Sequence, residues 1–183
     1  VTAIRKFVDE GGGFIGVGEP TAYQHQGRYF QLSDVMGVDR EMGFSLSTDK
    51  YNTCDPHHFI LEDIDGKIDF GEGTSRIYAQ GKHYQILAQD GEYSQLVVNE
   101  YGKGHSVYFA GLPYSPQNCR ILLRAIYYAA GMPEEMKHYY VTNVDTEVTV
   151  FPETKRIAVI NNADAEEKTD LYIKGHLIDS LTL

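Results

Sequence analysis

The stretch Gly11-Gly-Gly-Phe-Ile-Gly-Val-Gly-Glu-Pro-Thr-Ala22 constrains the fold of this chain more than any other. A helical pattern runs into it, with Val1, Ile4, Phe7 and Val8 on one face of residues 2–10, and Gly11 suits the left-handed position that closes such a helix. Residues 14–18 then read as a short apolar strand of the kind covered on both faces of a sheet. Gly16 and Gly18 leave little bulk at the strand end, which allows a close approach to the backbone. Ligands of open α/β sheets sit outside the carboxyl ends of strands, so the turn at residues 18–23 is the first place to look for a site. A nucleophile elbow would present Ser or Cys there, whereas this turn offers Glu19 followed by Pro20. The favoured reading of Glu19 is a structural acceptor for loop amides; a base, a ligand or another hydrogen-bond acceptor is the alternative.

The remaining pattern alternates between strand and helix. Residues 31–36 suit a short helix ended by Gly37, residues 43–48 alternate weakly, and residues 49–58 are irregular. Residues 58–62 read as a strand, and residues 63–73, rich in Asp and Gly, as an exposed excursion. Strands are expected at 76–79, 84–89, 94–100 and 105–110, the last two joined through Gly102-Lys-Gly104 as a tight hairpin. Ser115 and Pro116 supply helix-start chemistry, and residues 121–130 are apolar on nearly every face, so that helix is expected to be well buried before Gly131. Residues 133–138 read as a linker. Four strand-like runs without a helix follow, at 147–151, 156–161, 169–173 and 177–183, forming a small antiparallel β unit.

At 183 residues the chain has room for one domain and a small appendage. Its 16 Lys and Arg against 26 Asp and Glu leave a net charge of −10, which repels nucleic-acid backbones and anionic membrane surfaces, and no basic strip offsets it. Cys54 and Cys119 are too few for a disulfide scaffold, in keeping with a reducing cytoplasm. No run approaches membrane-spanning length and no signal peptide opens the chain. A start inside a helical pattern and a stop inside a strand lead us to expect a fragment of a longer polypeptide.

Several clusters carry potential chemistry. Cys54-Asp-Pro-His-His58 resembles a zinc site in residue type, yet His57 and His58 would point to opposite faces of a strand and no second ligand pair sits at the right spacing. Cys119 lies in the first turn of the helix after Ser115, where the dipole favours a thiolate, but no His follows residues 110–113 to act as its base; a packed small residue is the better reading. Asp63, Asp65 and Asp69 lack the downstream Glu of a calcium loop and read as a solvated turn. Glu19, Gln24, His25, Gln26 and Arg28, with Tyr23 and Tyr29, suit either sugar recognition or an interface loop equally well. From this set Glu19, Tyr23, Gln24 and Arg28 are taken as the candidate pocket or interface.

Three blocks carry a family resemblance: Phe7-Val-Asp-Glu-Gly-Gly-Gly-Phe-Ile-Gly-Val-Gly-Glu-Pro20, Gln26-Gly-Arg-Tyr-Phe-Gln-Leu-Ser-Asp-Val-Met-Gly-Val-Asp39, and Gly43-Phe-Ser-Leu-Ser-Thr-Asp-Lys50. Tyr101-Gly-Lys-Gly-His-Ser-Val-Tyr-Phe-Ala-Gly111 and Arg156-Ile-Ala-Val-Ile-Asn-Asn162 extend it. Together they resemble the later part of the lacto-N-biose / galacto-N-biose phosphorylase family, whose relatives include galactosyl-rhamnose phosphorylases. The resemblance implies a class I glutamine amidotransferase-like (flavodoxin-like) α/β domain, entered part-way, at residues 1–136, and a small antiparallel β domain at 137–183. It also implies that an N-terminal TIM-like barrel, missing here, holds the general acid and the galactose and phosphate contacts.

The implied parent reaction is inverting phosphorolysis of a β-galactoside, with inorganic phosphate as co-substrate and no cofactor or metal. No catalytic residue carries over onto these positions, so this portion is expected to be inactive alone, cytoplasmic, and partnered by the barrel and a second copy as a homodimer. One rival is an amidotransferase-like hydrolase using Glu19 with His25, His57 or His58. The other is a sugar-binding or oligomerisation module of another carbohydrate enzyme, such as a β-galactosidase.

Overall fold

A computed structural model describes residues 1–21, 29–41 and 53–183. Its central sheet is four-stranded, in the order β1 (Gly13–Val17), β6 (Gly104–Phe109), β5 (Tyr93–Tyr101), β4 (Tyr84–Asp90). β1 runs parallel to β6, while β5 is antiparallel to both of its neighbours. The expected hairpin is present, with Tyr101 opposite Gly104 and Gly102 at φ 61°, a left-handed turn that glycine enters without cost. A short antiparallel pair, β2 (Val38–Arg40) with β3 (Ile77–Ala79), lies beside this sheet.

Both faces of the central sheet are covered. On one lie α1 (Thr2–Asp9) and α2 (Ser33–Met36), with Val8, Phe30, Met36, Val38 and Tyr108 fully buried between the layers. On the other, α3 (Pro116–Ala129) packs Ile121 and Ala125 against Leu96, Val107 and Phe109. β1 is an edge strand among the described residues, however, and Val17 at its end is 43% exposed, so the double covering expected for residues 14–18 is incomplete. The close approach at Gly16 is made by the chain itself: a Cβ there would lie 2.9 Å from Pro20 Cγ and 3.0 Å from Met36 Sδ.

Helix ends follow their chemistry. Ser115 Oγ accepts the N–H of Asn118 at 3.0 Å and Pro116 occupies the first turn of α3. α2 stops at Gly37 in the left-handed region, φ 69°. Arg5 on α1 grips α2 through Asp34, Nε to Oδ2 at 2.8 Å and Nη2 to Oδ1 at 2.9 Å. Burial pushes the Asp34 carboxyl up, but the hydrogen bonds and charge of Arg5 outweigh it and hold it below the usual range. A carboxyl depressed on folding stabilises the fold above its unfolded value, about pH 4, and loses that contribution as the pH falls through its folded value. Thermal melts should therefore show Asp34→Asn less stable than the parent chain at pH 7 and indistinguishable from it in strong acid.

Three expectations need correction. Residues 58–62 are not a strand: Phe59–Leu61 form a 3₁₀ turn, because His58 Nδ1 accepts the N–H of Ile60 at 3.2 Å while Ile60 drops fully into the core beside α3. Residues 133–138 are not a plain linker, since Pro133 starts the short helix α4 (Pro133–Met136). α3 is also less buried than its composition suggests, with Leu123 at 44% and Ile126 at 49% exposure on its outer side.

The β unit has five strands, β7 (Tyr139–Val141), β8 (Thr146–Phe151), β9 (Arg156–Asn161), β10 (Lys168–Ile173) and β11 (His176–Thr182). The first was missed in the sequence as too short to show alternation. They form an antiparallel β11-β10-β7 sheet, with a register shift at Leu171/Tyr172, and a β8-β9 hairpin.

Candidate functional site

The turn beyond β1 is built from backbone first. Gly18, at φ 65°, donates its N–H to the Phe109 carbonyl at 2.9 Å and accepts from the Tyr108 hydroxyl at 2.8 Å. Tyr108 is fully buried, and burial pushes its phenol well above the ordinary value, so it stays a neutral donor. The next side chain, Glu19, is ion-paired with Nη1 of Arg40, which is delivered by β2. The same Nη1 donates to the Tyr29 hydroxyl at 2.9 Å, and the guanidinium lies 5.0 Å from the centre of the Tyr29 ring.

Asp39 organises this cluster from below. It is 1% exposed, and its Oδ1 accepts the N–H groups of Tyr29 at 3.0 Å, Phe30 at 2.9 Å and Arg40 at 2.9 Å. One carboxylate oxygen thus fixes where residues 29–30 return to the sheet and where Arg40 leaves it. Thr21 Oγ1 accepts from Gln31 N–H at 3.1 Å and ties the far side of the same turn. A carboxylate, a guanidinium and a phenol whose polar atoms are turned toward one another make a cross-brace. Among the described residues the turn presents no Ser or Cys as a nucleophile.

The predicted candidates separate accordingly. Glu19 is in the cross-brace, while Tyr23, Gln24 and Arg28, with His25 and Gln26, lie outside the described residues. The geometry that a Glu19 hydrolase requires is not met by His57 or His58. His57 pairs with Asp55, Nδ1 to Oδ1 at 2.8 Å, and its side chain is 94% exposed. His58 caps the 3₁₀ turn, and its ring meets Tyr128 edge-on at 4.7 Å.

Burial holds His58 below its ordinary pKa and pushes Tyr128 up to about 12. A histidine depressed on folding costs stability as the pH falls below its unfolded value, about 6.5, because the unfolded chain binds the proton first. Calorimetric melts between pH 7 and 5 should show that loss, and His58→Gln, which keeps an acceptor for Ile60, should flatten it.

Cys119 is exposed and Cys54 partly buried, with its thiol pushed up by burial and by Asp55; among the described residues no group of three or more His, Cys, Asp or Glu is placed to hold a metal. Asp63, read in the sequence as part of a solvated turn, is instead the partner of two buried arginines: Arg120 Nη1 at 2.9 Å and Arg124 Nε at 2.7 Å. Arg120 also donates to the carbonyls of Val141 at 2.9 Å, Asn143 at 3.0 Å and Thr146 at 3.3 Å, so α3 holds the β unit through one guanidinium. Its spacing from Arg124, four residues on in a strongly apolar helix, is the signal that sequence reasoning passed over. Asp39 and Arg40 gave no such signal, because a three-residue strand is too short to mark which residues face inward.

Comparison with known proteins adds the following. The family described as lacto-N-biose phosphorylase central domain matches residues 1–134, and its C-terminal domain matches residues 139–183. A 1,3-beta-galactosyl-N-acetylhexosamine phosphorylase of Lachnoclostridium phytofermentans is 52% identical over 171 residues, covering 93% of this chain and 24% of the relative. One from Bifidobacterium longum subsp. longum is 37% identical over 206 residues, covering 94% and 27%. A D-galactosyl-beta-1->4-L-rhamnose phosphorylase of L. phytofermentans is 29% identical over 180 residues, covering 96% and 24%. The chain thus spans about a quarter of the length of these curated relatives. Among solved structures, Gan42B, a GH42 beta-galactosidase from G. stearothermophilus, superposes with a TM-score of 0.49 at 14% identity, covering 100% of this chain and 28% of that one.

Proposed function

Because the chain belongs to the lacto-N-biose phosphorylase family, we propose that it forms the non-catalytic middle and C-terminal portion of an inverting β-galactoside phosphorylase. The parent reaction is β-galactosyl disaccharide plus inorganic phosphate giving galactose 1-phosphate and a free acceptor sugar. Phosphate arrives as a charged nucleophile, so this chemistry needs one acid for the leaving oxygen and no carboxylate base to activate water. The reacting groups then belong to the barrel outside this chain, and no cofactor or metal is required. The observation that carries this reading is the turn after β1, where an amidotransferase would place its nucleophile and this chain has Glu19 tied to Arg40.

On the same reading residues 1–136 are a class I glutamine amidotransferase-like domain kept for its shape, followed by the small β domain at 137–183. Support comes from the parallel pairing of β1 with β6 and from helices on both sheet faces. The portion serves as a scaffold beside the barrel and as a dimerisation surface of a cytoplasmic enzyme. Incubating the chain with galactose 1-phosphate and either N-acetylglucosamine or L-rhamnose should release no phosphate and form no disaccharide. Turnover that survives repurification of the chain would refute the assignment.

A further inference from the structure

Between the 3₁₀ turn at residues 59–61, α3, α4 and β7 lies a cleft of about 260 Å³, small for a ligand pocket and of a size for one ring. The most buried group of its lining is Arg124, at 3% exposure. Its Nη1 donates to the Phe59 carbonyl at 2.9 Å and to Glu62 Oε2 at 3.3 Å, and its Nε lies 2.7 Å from Asp63 Oδ1. Among the described residues nothing accepts a hydrogen bond from Nη2. A buried guanidinium donor is costly to leave unmade, so this one calls for an acceptor in the cleft.

Two hydroxyls join it from the β unit. Tyr140 stacks on Tyr172, ring centres 4.9 Å apart and 12° from parallel, and its hydroxyl has no partner among the described residues. Burial pushes that phenol up, so it stays a neutral group able to donate and to accept. Thr142 Oγ1 accepts the Asp170 N–H at 3.0 Å and keeps its own proton to give.

Charge decides which ligand these groups suit. Lys137 Nζ lies 3.1 Å from Glu62 Oε2, so the lining holds two cations and two carboxylates, each cation already beside an anion. A charged ligand of either sign would meet two like charges at close range in a partly enclosed space. An uncharged ligand rich in hydroxyls meets no such barrier, because it can accept from Arg124 and Lys137 while donating to Glu62. Met136 adds an apolar wall for the C–H face of a ring.

We propose that this cleft, where α3 meets the β unit, binds a single sugar ring, with Arg124, Lys137 and Tyr140 hydrogen-bonding its hydroxyls. It shares no residue with the Glu19 turn, and it stands apart from where the parent's reacting groups lie. A sugar held there bridges the α/β portion and the β unit.

Titrating the chain with D-galactose and with N-acetyl-D-glucosamine, followed by the backbone amide signals in NMR, tests it. With at least one of the two sugars the amides of Asp63, Lys137, Tyr140 and Thr142 should shift together and saturate in the millimolar range, and the melting temperature should rise with sugar concentration. Tyr140→Phe, which keeps the stacking on Tyr172, should leave the melting temperature of the free chain unchanged and weaken binding about fivefold. Shifts that scatter over the surface or stay linear in concentration, or no shifts with either sugar, would overturn the proposal. So would undiminished binding by the Tyr140→Phe variant. Inorganic phosphate saturating the same amides would also overturn it, by making the cleft an anion site.

Discussion

Replacing Arg120 with alanine should lower the melting temperature of this chain by roughly 10 °C. Arg120 is 7% exposed and Asp63, its partner, is 17% exposed at the side chain, so the pair lies largely out of water. Removing one member of a buried pair costs about 3–5 kcal/mol, far more than a surface ion pair, and because Asp63 keeps Arg124 Nε at 2.7 Å the lower end of that range applies. For a chain of this size each kcal/mol shifts the midpoint by about 2–4 °C. Three carbonyls on the β unit, those of Val141, Asn143 and Thr146, would lose a charged donor at once, although that of Asn143 keeps the Thr146 N–H at 3.1 Å and the Thr146 hydroxyl at 2.9 Å. Arg120→Met keeps much of the volume and should fare no better. Calorimetry of both variants checks this; a stable Met variant would mean that α3 holds the β unit by packing alone.

Asp39→Ala should be comparably damaging, by about 3 kcal/mol or more, since it strips the common acceptor from three buried or half-buried N–H groups. Asp39→Asn retains the Oδ1 acceptor and loses only the charge, so about 1 kcal/mol is expected. The ordering matters more than either figure. If Asn were as harmful as Ala, the negative charge itself, and not the acceptor, would be what the turn requires. Urea unfolding with a constant m-value would give both numbers directly.

Where the chain carries strong local chemistry, the sequence could be read to within a residue or two. Ser115-Pro116, Gly37, Gly131 and the Gly102-Lys-Gly104 turn each fix a boundary by backbone geometry that few other residues tolerate. Residues 58–62 misled because an apolar run of that length is equally a strand or a buried turn, and the deciding bond, His58 to Ile60, is invisible in one dimension. Asp63 misled for another reason: three aspartates among glycines read as solvated, and only the fold reveals that α3 brings two guanidinium groups to one of them. Leu123 and Ile126 made α3 read as buried on every side, yet their outer face is open in this chain. At the turn after β1 the absence of a nucleophile was legible from residues 18–20, but the partner of Glu19 was not, because Arg40 arrives from a separate sheet.

A positioning role for Glu19, held in a cross-brace with Arg40 and Tyr29, leaves it no part in proton transfer. Its direct test is the pH profile of kcat/KM for phosphorolysis by the full-length phosphorylase carrying Glu19→Gln. A profile of unchanged shape and a rate within about tenfold of the parent are expected, since a general acid or base contributes about 10²–10⁴ and a positioning contact much less. Loss of a thousandfold or more, with one limb of the profile abolished, would contradict it.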